Sequence, residues 1–240
     1  MHYDDTGTGV PLLLMHAFPV NRTMFSPVPE FRLVTFDVPP GPMTMDLIAD
    51  LAAALLDHLG LARAVVGGVS MGGYAAFRFL ARHPRRLAGL VLSNTRAAAD
   101  TDAARASRRD MMEVARRQGP AEVAKRMIPR LLGETTRWEY PEVVKRVRRM
   151  IEEYSAEEIV DLLEALASRP DSTLLLGSIQ VPTVVIAGEE DVIVSPEETR
   201  SWASHIPGVQ LRVIPRCGHL PPVERPDEFA HAIEGLAGGL

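Results

Sequence analysis

Short apolar runs rich in β-branched residues alternate along this chain with stretches whose apolar positions recur every three or four residues. That alternation is the pattern of a parallel sheet wrapped by helices, an α/β architecture. The strand-like runs are VPLLLMH (10–16), FRLVTFD (31–37), AVVGG (64–68), LAGLVLSN (87–94), PTVVIAG (182–188) and QLRVIP (210–215). Helical spacing marks MDLIADLAAALLDHLG (45–60), which stops at Gly60, and MGGYAAFRFLARHP (71–84), halted before Pro84. A third helix, RPDEFAHAIEGLAG (225–238), has Pro226 in its first turn and acids near its positive end. Ahead of the first strong run, HYDDTG leaves room for one short edge strand at most.

Between 97 and 178 the strand signal disappears and four Arg- and Glu-rich helical patterns follow one another: DAARASRRDMMEVARRQG, AEVAKRMIPRLLG, PEVVKRVRRMIEEY and AEEIVDLLEALASR. A block of helices set between two strands reads as a lid over the sheet's edge. The expected division is therefore an α/β core of residues 1–96 and 179–240 with a helical cap of residues 97–178.

Charge and composition narrow the function classes. At 46% hydrophobic and 24% charged over 240 residues, the chain is expected to form one globular unit. The net charge of −5 hides an asymmetry, because residues 105–153 carry +5 and the remainder −10. The basic residues are interleaved with acids at helical spacing and lack an aromatic stacking platform, so they read as a solvated helix face and no nucleic acid partner is expected. An acidic start, MHYDDTGTG, and an apolar run too short to span a bilayer point to no membrane partner and a cytoplasmic location. The single cysteine, Cys217, forms neither an internal disulfide nor a Cys-based zinc site, in keeping with a reducing compartment. A monomer or homodimer is expected.

The chemistry is written at GVSMG (68–72), which falls between a strand and a helix. A serine on such a sharp turn occupies a strained backbone conformation, and glycines two residues to either side remove side chains that would collide. Ser70 is thus the candidate nucleophile. A hydroxyl needs a base to take its proton and a third group to orient that base. Of seven histidines, His2 is terminal and His58, His83, His205 and His231 fall in or beside helical patterns. His219 alone sits in a loop after the last strand, in PRCGHLPPVERP, on the same sheet edge as Ser70. For the acid, GEEDVIVSP follows the strand at 182–188; Asp191 lies deepest in that turn, with Glu190 the second candidate. The turn after 87–94 offers only Ser93, Asn94 and Thr95, and so no acid.

On these residues the chain resembles the α/β-hydrolase superfamily along nearly its whole length. HAFPVN resembles the family's His-Gly-Phe-Pro segment, GVSMGG its nucleophile elbow, GEEDVIVSP its acid loop and CGHLPPVERPDEF its histidine loop. Among its members, 3-oxoadipate enol-lactonases and small carboxylesterases are nearest in kind. The resemblance implies a mostly parallel central sheet flanked by helices, with a helical cap inserted after the sixth family strand. It also implies that the backbone N–H groups of Phe18 and Met71 form an oxyanion hole. Two departures stand out: Ala17 occupies a position usually held by glycine, and VPPGPMTM replaces a glycine-rich turn after Asp37. His16 is then expected to pin the oxyanion loop rather than act as a base. Haloalkane dehalogenases and epoxide hydrolases use aspartate at the elbow, so serine here argues against those activities.

The expected reaction is hydrolysis of a small carboxylic ester or lactone through an acyl-enzyme on Ser70, with no metal and no cofactor. Activity is expected to fall on the acid side as His219 takes a proton. Met24, Phe25, Met111, Met127 and Trp138 are candidate substrate contacts, each more readily read on its own as ordinary core. The basic insertion would suit an anionic substrate such as an oxoadipate-like lactone, although arginines on such helices more often face water. Two other readings use the same machinery: a small-ligand receptor with little turnover, and a cofactor-free perhydrolase.

Overall fold

The computed structural model describes residues 1–238. Its centre is a seven-stranded sheet: β1 (Tyr3–Thr6), β2 (Val10–Met15), β3 (Phe31–Phe36), β4 (Ala64–Val69), β5 (Leu87–Ser93), β6 (Thr183–Gly188) and β7 (Gln210–Ile214), in the order β1-β3-β2-β4-β5-β6-β7. Only β1 runs antiparallel, pairing Tyr3 with Phe36; every other neighbour is parallel, as in Leu13 with Val66 and Leu92 with Val185. β4 and β6 are buried at every position, which explains their unbroken apolar runs: a parallel strand with helices on both faces has no polar side.

The two faces of the sheet divide by the period of two that a strand imposes. Leu13, Met15, Val34, Phe36, Val66 and Leu92 point toward α1 (Met45–His58) and α2 (Met71–Arg82). Leu12, Leu14, Leu33, Val65, Val91 and Ile186 point the other way, toward Phe229 and Ile233 of the last long helix (Pro226–Glu234). The Thr44 hydroxyl accepts the Leu47 amide at 3.1 Å and so starts α1 just where the apolar spacing begins.

Between β5 and β6 lie α3 (Asp102–Leu131), α4 (Glu134–Glu139), α5 (Pro141–Glu152) and α6 (Ala156–Ala167). α3 breaks at Gly119, whose φ of 76° lies in the left-handed region just before Pro120. The two chain segments that join these helices to the sheet are tied to each other. Ser172 N–H donates to Ala97 O at 2.8 Å, Ala99 N–H to Asp171 at 3.2 Å, and the Arg169 guanidinium to Ala98 O at 3.0 Å. Buried Asp100 accepts from both Arg108 and Arg169, and Arg169 lies 4.2 Å over the ring of Tyr74 on α2.

After β6 come α7 (Pro196–Ala203), β7, the single turn α8 (Pro221–Glu224) and α9 (Pro226–Glu234). The six expected strands and three core helices are all present with their ends shifted by a few residues, and β1 is the short edge strand. Three helices lack a sequence signal, among them the single turn α8, which lies in the stretch read as the histidine loop. α4 has six residues, and α7 buries only Thr199 and Ala203, so neither writes an apolar period. No described helix is long and apolar enough to cross a membrane.

Candidate active site

Ser70 stands between the last residue of β4 and the first of α2, at φ 54° and ψ −108°. Such a backbone is costly for a residue with a side chain and persists only where its surroundings hold it. Three contacts do so here: Ser70 N–H donates to Ser93 O at 2.9 Å, its carbonyl accepts the Thr95 hydroxyl at 2.9 Å, and the same carbonyl receives the amides of Gly73 and Tyr74 on α2. The flanking glycines are required by close approach. A Cβ on Gly68 would strike the backbone of Gly72, and one on Gly72 would strike the carbonyl of Met15 at the end of β2.

Asp191 follows β6 and His219 follows β7, and their side chains meet: His219 Nδ1 lies 2.7 Å from Asp191 Oδ2 with both groups out of contact with water. Asn94, just past β5, donates to the same Oδ2 at 2.8 Å and to Gly218 O at 3.1 Å. Asp191 Oδ1 accepts the amides of Ile193 at 2.8 Å and Val194 at 3.1 Å. Burial alone would push this carboxyl up, but the adjacent His219 and the hydrogen bonds from His219, Asn94 and Val194 outweigh it and hold the group below the usual carboxylate range. An ionised Asp191 makes Nδ1 the protonated nitrogen of His219 and leaves Nε2 with a free lone pair. Ser70 Oγ makes no hydrogen bond to His219 or to another described residue; the two are joined through the ends of three adjacent strands, β4, β5 and β6.

Across from the elbow runs the segment 16–21. The amides of Phe18 and Met71 donate to no protein acceptor among the described residues. The segment is held on several sides: the Ala17 amide meets Met24 Sδ at 3.4 Å, Val20 N–H donates to Ala17 O at 3.1 Å, and the Tyr154 hydroxyl donates to Val20 O at 2.9 Å. Burial pushes the His16 imidazole down from the ordinary histidine value, so it is neutral. Its Nδ1–H donates to Ala17 O at 3.0 Å and its Nε2 accepts the Val38 amide at 3.1 Å. The altered loop after Asp37 is thereby anchored to the 16–21 segment.

A cavity of about 210 Å³ opens beside Phe18, lined among others by Met111, Met127, Leu163, Arg108 and Arg130.

The α/β hydrolase fold family matches residues 10–226. The chain belongs to the α/β-hydrolase family. It is 31% identical to 3-oxoadipate enol-lactonase 2 of Acinetobacter baylyi over 82% of this chain and 72% of that protein. Among solved structures it is similar to a thermophilic esterase from Thermogutta terrifontis, with malate bound, at 44% identity, covering 98% of this chain and 91% of that one, with a TM-score of 0.93. It is also similar to the enol-lactonase from Burkholderia xenovorans, at 25% identity over 99% of this chain and 96% of that one, with a TM-score of 0.89.

Within this α/β-hydrolase, the five expected substrate contacts separate. Met111 and Met127 line the cavity. Met24 does not: it is fully buried beneath the 16–21 segment, where its sulfur takes the Ala17 amide. Phe25 packs instead toward Phe229 on the opposite face of the sheet, with ring centroids 6.4 Å apart. Trp138 is 79% exposed on α4, which has too few turns to bury its own face. Glu190, the second candidate acid, turns away from His219 and accepts the amide and the hydroxyl of Thr135.

Three residues of the site were not legible as such. Asn94 and Thr95 are uncharged and carry no motif; only their place just past a central strand marks them. Glu224 sits in the histidine loop's PPVERP, and its carboxylate is buried. It accepts the amides of Gly218 at 3.1 Å and Leu220 at 3.0 Å, on either side of His219, and of Gly133 at 2.8 Å. With His219 N–H donating to Leu131 O at 2.9 Å, the histidine loop is fastened to the inserted helices.

Proposed function

We propose that this α/β-hydrolase cleaves a small carboxylic ester or lactone by way of an acyl-enzyme on Ser70. The observation that carries the reading is the buried 2.7 Å pair of His219 and ionised Asp191, set at the sheet edge where Ser70 is held on its strained turn. Similarity to an esterase and to enol-lactonases supports it.

In this reading Ser70 Oγ attacks the scissile carbonyl and gives its proton to His219 Nε2, while Asp191 stabilises the imidazolium that forms. The unengaged amides of Phe18 and Met71 receive the oxyanion, whose charge exists only in the transition state; such donors each contribute about 10²–10³ in rate. His219 then returns the proton to the leaving alkoxide, and a water deprotonated by the same Nε2 releases the acyl group. Residues 97–178 form the cap in this reading, and its helices α3 and α6 supply part of the wall of the open cavity beside Phe18. At about 210 Å³ that cavity is smaller than sites for drug-sized ligands, which favours small substrates.

A fluorophosphonate probe and short p-nitrophenyl esters test the proposal. Ser70 is expected to be the labelled residue, with an initial burst of nitrophenol as the acyl-enzyme fills, and Ser70→Ala is expected to lose about 10⁴–10⁶ in kcat. Labelling elsewhere, or turnover that survives Ser70→Ala, would end the reading.

A further inference from the structure

The segment that carries the Phe18 amide has no sheet or long helix to hold it: past β2 it runs as a loop ending in the single turn Arg22–Met24. It is fastened instead by three bonds from the inserted helices. Arg146 on α5 donates to Thr23 O, Asn21 Nδ2 donates to Glu153 at 2.7 Å, and the Tyr154 hydroxyl donates to Val20 O at 2.9 Å. A cavity of about 400 Å³ opens beside these bonds, lined among others by Asn21, Val38, Glu153 and Tyr154. Van der Waals contact therefore braces the segment less on that side, and the hydrogen bonds carry more of the restraint.

The Tyr154 bond lies nearest the amide in question. Val20 N–H closes a turn on Ala17 O at 3.1 Å, and Phe18 and Pro19 are the two residues inside that turn. Fixing the Val20 carbonyl thus fixes one end of the turn that presents the Phe18 N–H. Burial and the carboxylates of Asp37, Glu158 and Glu153 push the Tyr154 phenol up, so it remains a donor at every working pH.

We infer that Tyr154 is a positioning residue for the oxyanion hole: by holding Val20 it sets where the Phe18 amide points, so the inserted helices act on the chemical step as well as lining the cavity. The inference rests on the Ser70 hydrolase reading and adds a residue outside the Ser70, Asp191 and His219 set. An oxyanion donor is effective only when it is in place before the charge appears, so a loosened amide costs transition-state stabilisation and leaves substrate binding nearly as it was.

Tyr154→Phe in the full-length protein keeps the ring and removes the hydroxyl. With p-nitrophenyl acetate, kcat is expected to fall about 10- to 100-fold with KM near the parent value, the scale of a group misplaced from a distance. The deciding readout is inhibition by butyl trifluoromethyl ketone. Ser70 Oγ bonds to its carbonyl carbon, the C=O π pair becomes an oxyanion, and the Ser70 proton passes to His219. The inhibition constant is expected to rise by about the factor by which kcat falls, because both states place the same charge before the same amide. Glu153→Ala, at an exposed position, is expected to move both quantities the same way by less, and Glu153→Gln, which keeps an acceptor for Asn21, to restore them. Tyr3→Phe, which removes an exposed hydroxyl from β1, is expected to change neither. An inhibition constant unchanged in Tyr154→Phe, or losses confined to KM or stability, would overturn the inference and leave the hydrolase reading standing. Should Tyr154→Phe fail to fold, an unchanged constant in Glu153→Ala would overturn it equally. A parent protein that neither turns over the ester nor binds the ketone, with no probe on Ser70, would instead remove the hydrolase reading and this inference with it.

Discussion

Asp191 Oδ2 meets His219 Nδ1 at 2.7 Å, in a pocket where neither side chain touches water, and Asn94 binds the same oxygen from the other side at 2.8 Å. One carboxylate oxygen is thus shared between an imidazole and an amide, and both donors are fixed by the strands that deliver them.

Asp191→Asn keeps the shape of this arrangement and removes its charge. The new amide cannot act as an ionised acceptor, so His219 is free to take the tautomer with its proton on Nε2. A fall of about 10⁴ in kcat with KM little changed is expected. Steady-state kinetics beside a circular dichroism spectrum check it; a loss under tenfold in a folded variant would show that the acid does not orient the base.

Glu224 is expected to act through His219 as a positioning residue. Glu224→Ala strands the buried amides of Gly133, Gly218 and Leu220, at about 1–3 kcal/mol for each unsatisfied group, and lowers kcat. Glu224→Gln retains one acceptor oxygen and should restore much of the stability. If kcat tracks the Gln rescue while KM stays constant, the role is orientation of the histidine loop; kcat unchanged in a destabilised Ala variant would leave Glu224 with a folding role alone.

Gly72→Ala sets a methyl group against the Met15 carbonyl, and backbone on both sides cannot step aside. A loss of about 1–3 kcal/mol or more is expected, together with a displaced Ser70. The urea midpoint and the rate of fluorophosphonate labelling should fall together. A variant as stable and reactive as the parent would mean that the elbow tolerates more room than its geometry allows.

Asp191 and Asp100 are both held below the usual carboxylate range, so each binds protons more weakly folded than unfolded. The sign follows directly: their stabilisation is fully present above the unfolded value near 3.9 and drains away as pH falls through the lower folded values. Stability measured by chemical denaturation is expected to drop steeply below about pH 4. Asp100→Asn should flatten that drop and cost about 3–5 kcal/mol at neutral pH, since Arg108 and Arg169 lose their shared partner. An unchanged acid slope would show that Asp100 does not contribute to it.

The central strands were legible because parallel strands buried on both faces must be apolar throughout, and the elbow because its glycines are forced by contact with Gly72 and Met15. Ser70, Asp191 and His219 announce themselves through residue type and place at strand ends. Asn94 and Glu224 do not, because the sequence gives no sign of which backbone or side-chain groups they will meet. The pocket was the least legible part. Met111 and Met127 reach the cavity, whereas Met24, Phe25 and Trp138 share their apolar character but lie under the 16–21 segment, against Phe229 and out in solvent. Which of several similar side chains faces a cavity depends on how helices pack, and helical spacing alone does not encode it.

The seam between Leu131, Gly133 and the histidine loop sets a rule for anyone who grafts a foreign lid onto this scaffold. Residues 131–136 belong, by their bonding, to the machinery that carries His219 as much as to the helices around them. A chimera joined at the obvious borders near 97 and 178 would discard them and leave its histidine loop unmoored. One that transplants helices on either side of that stretch and keeps the stretch itself would retain a seated His219.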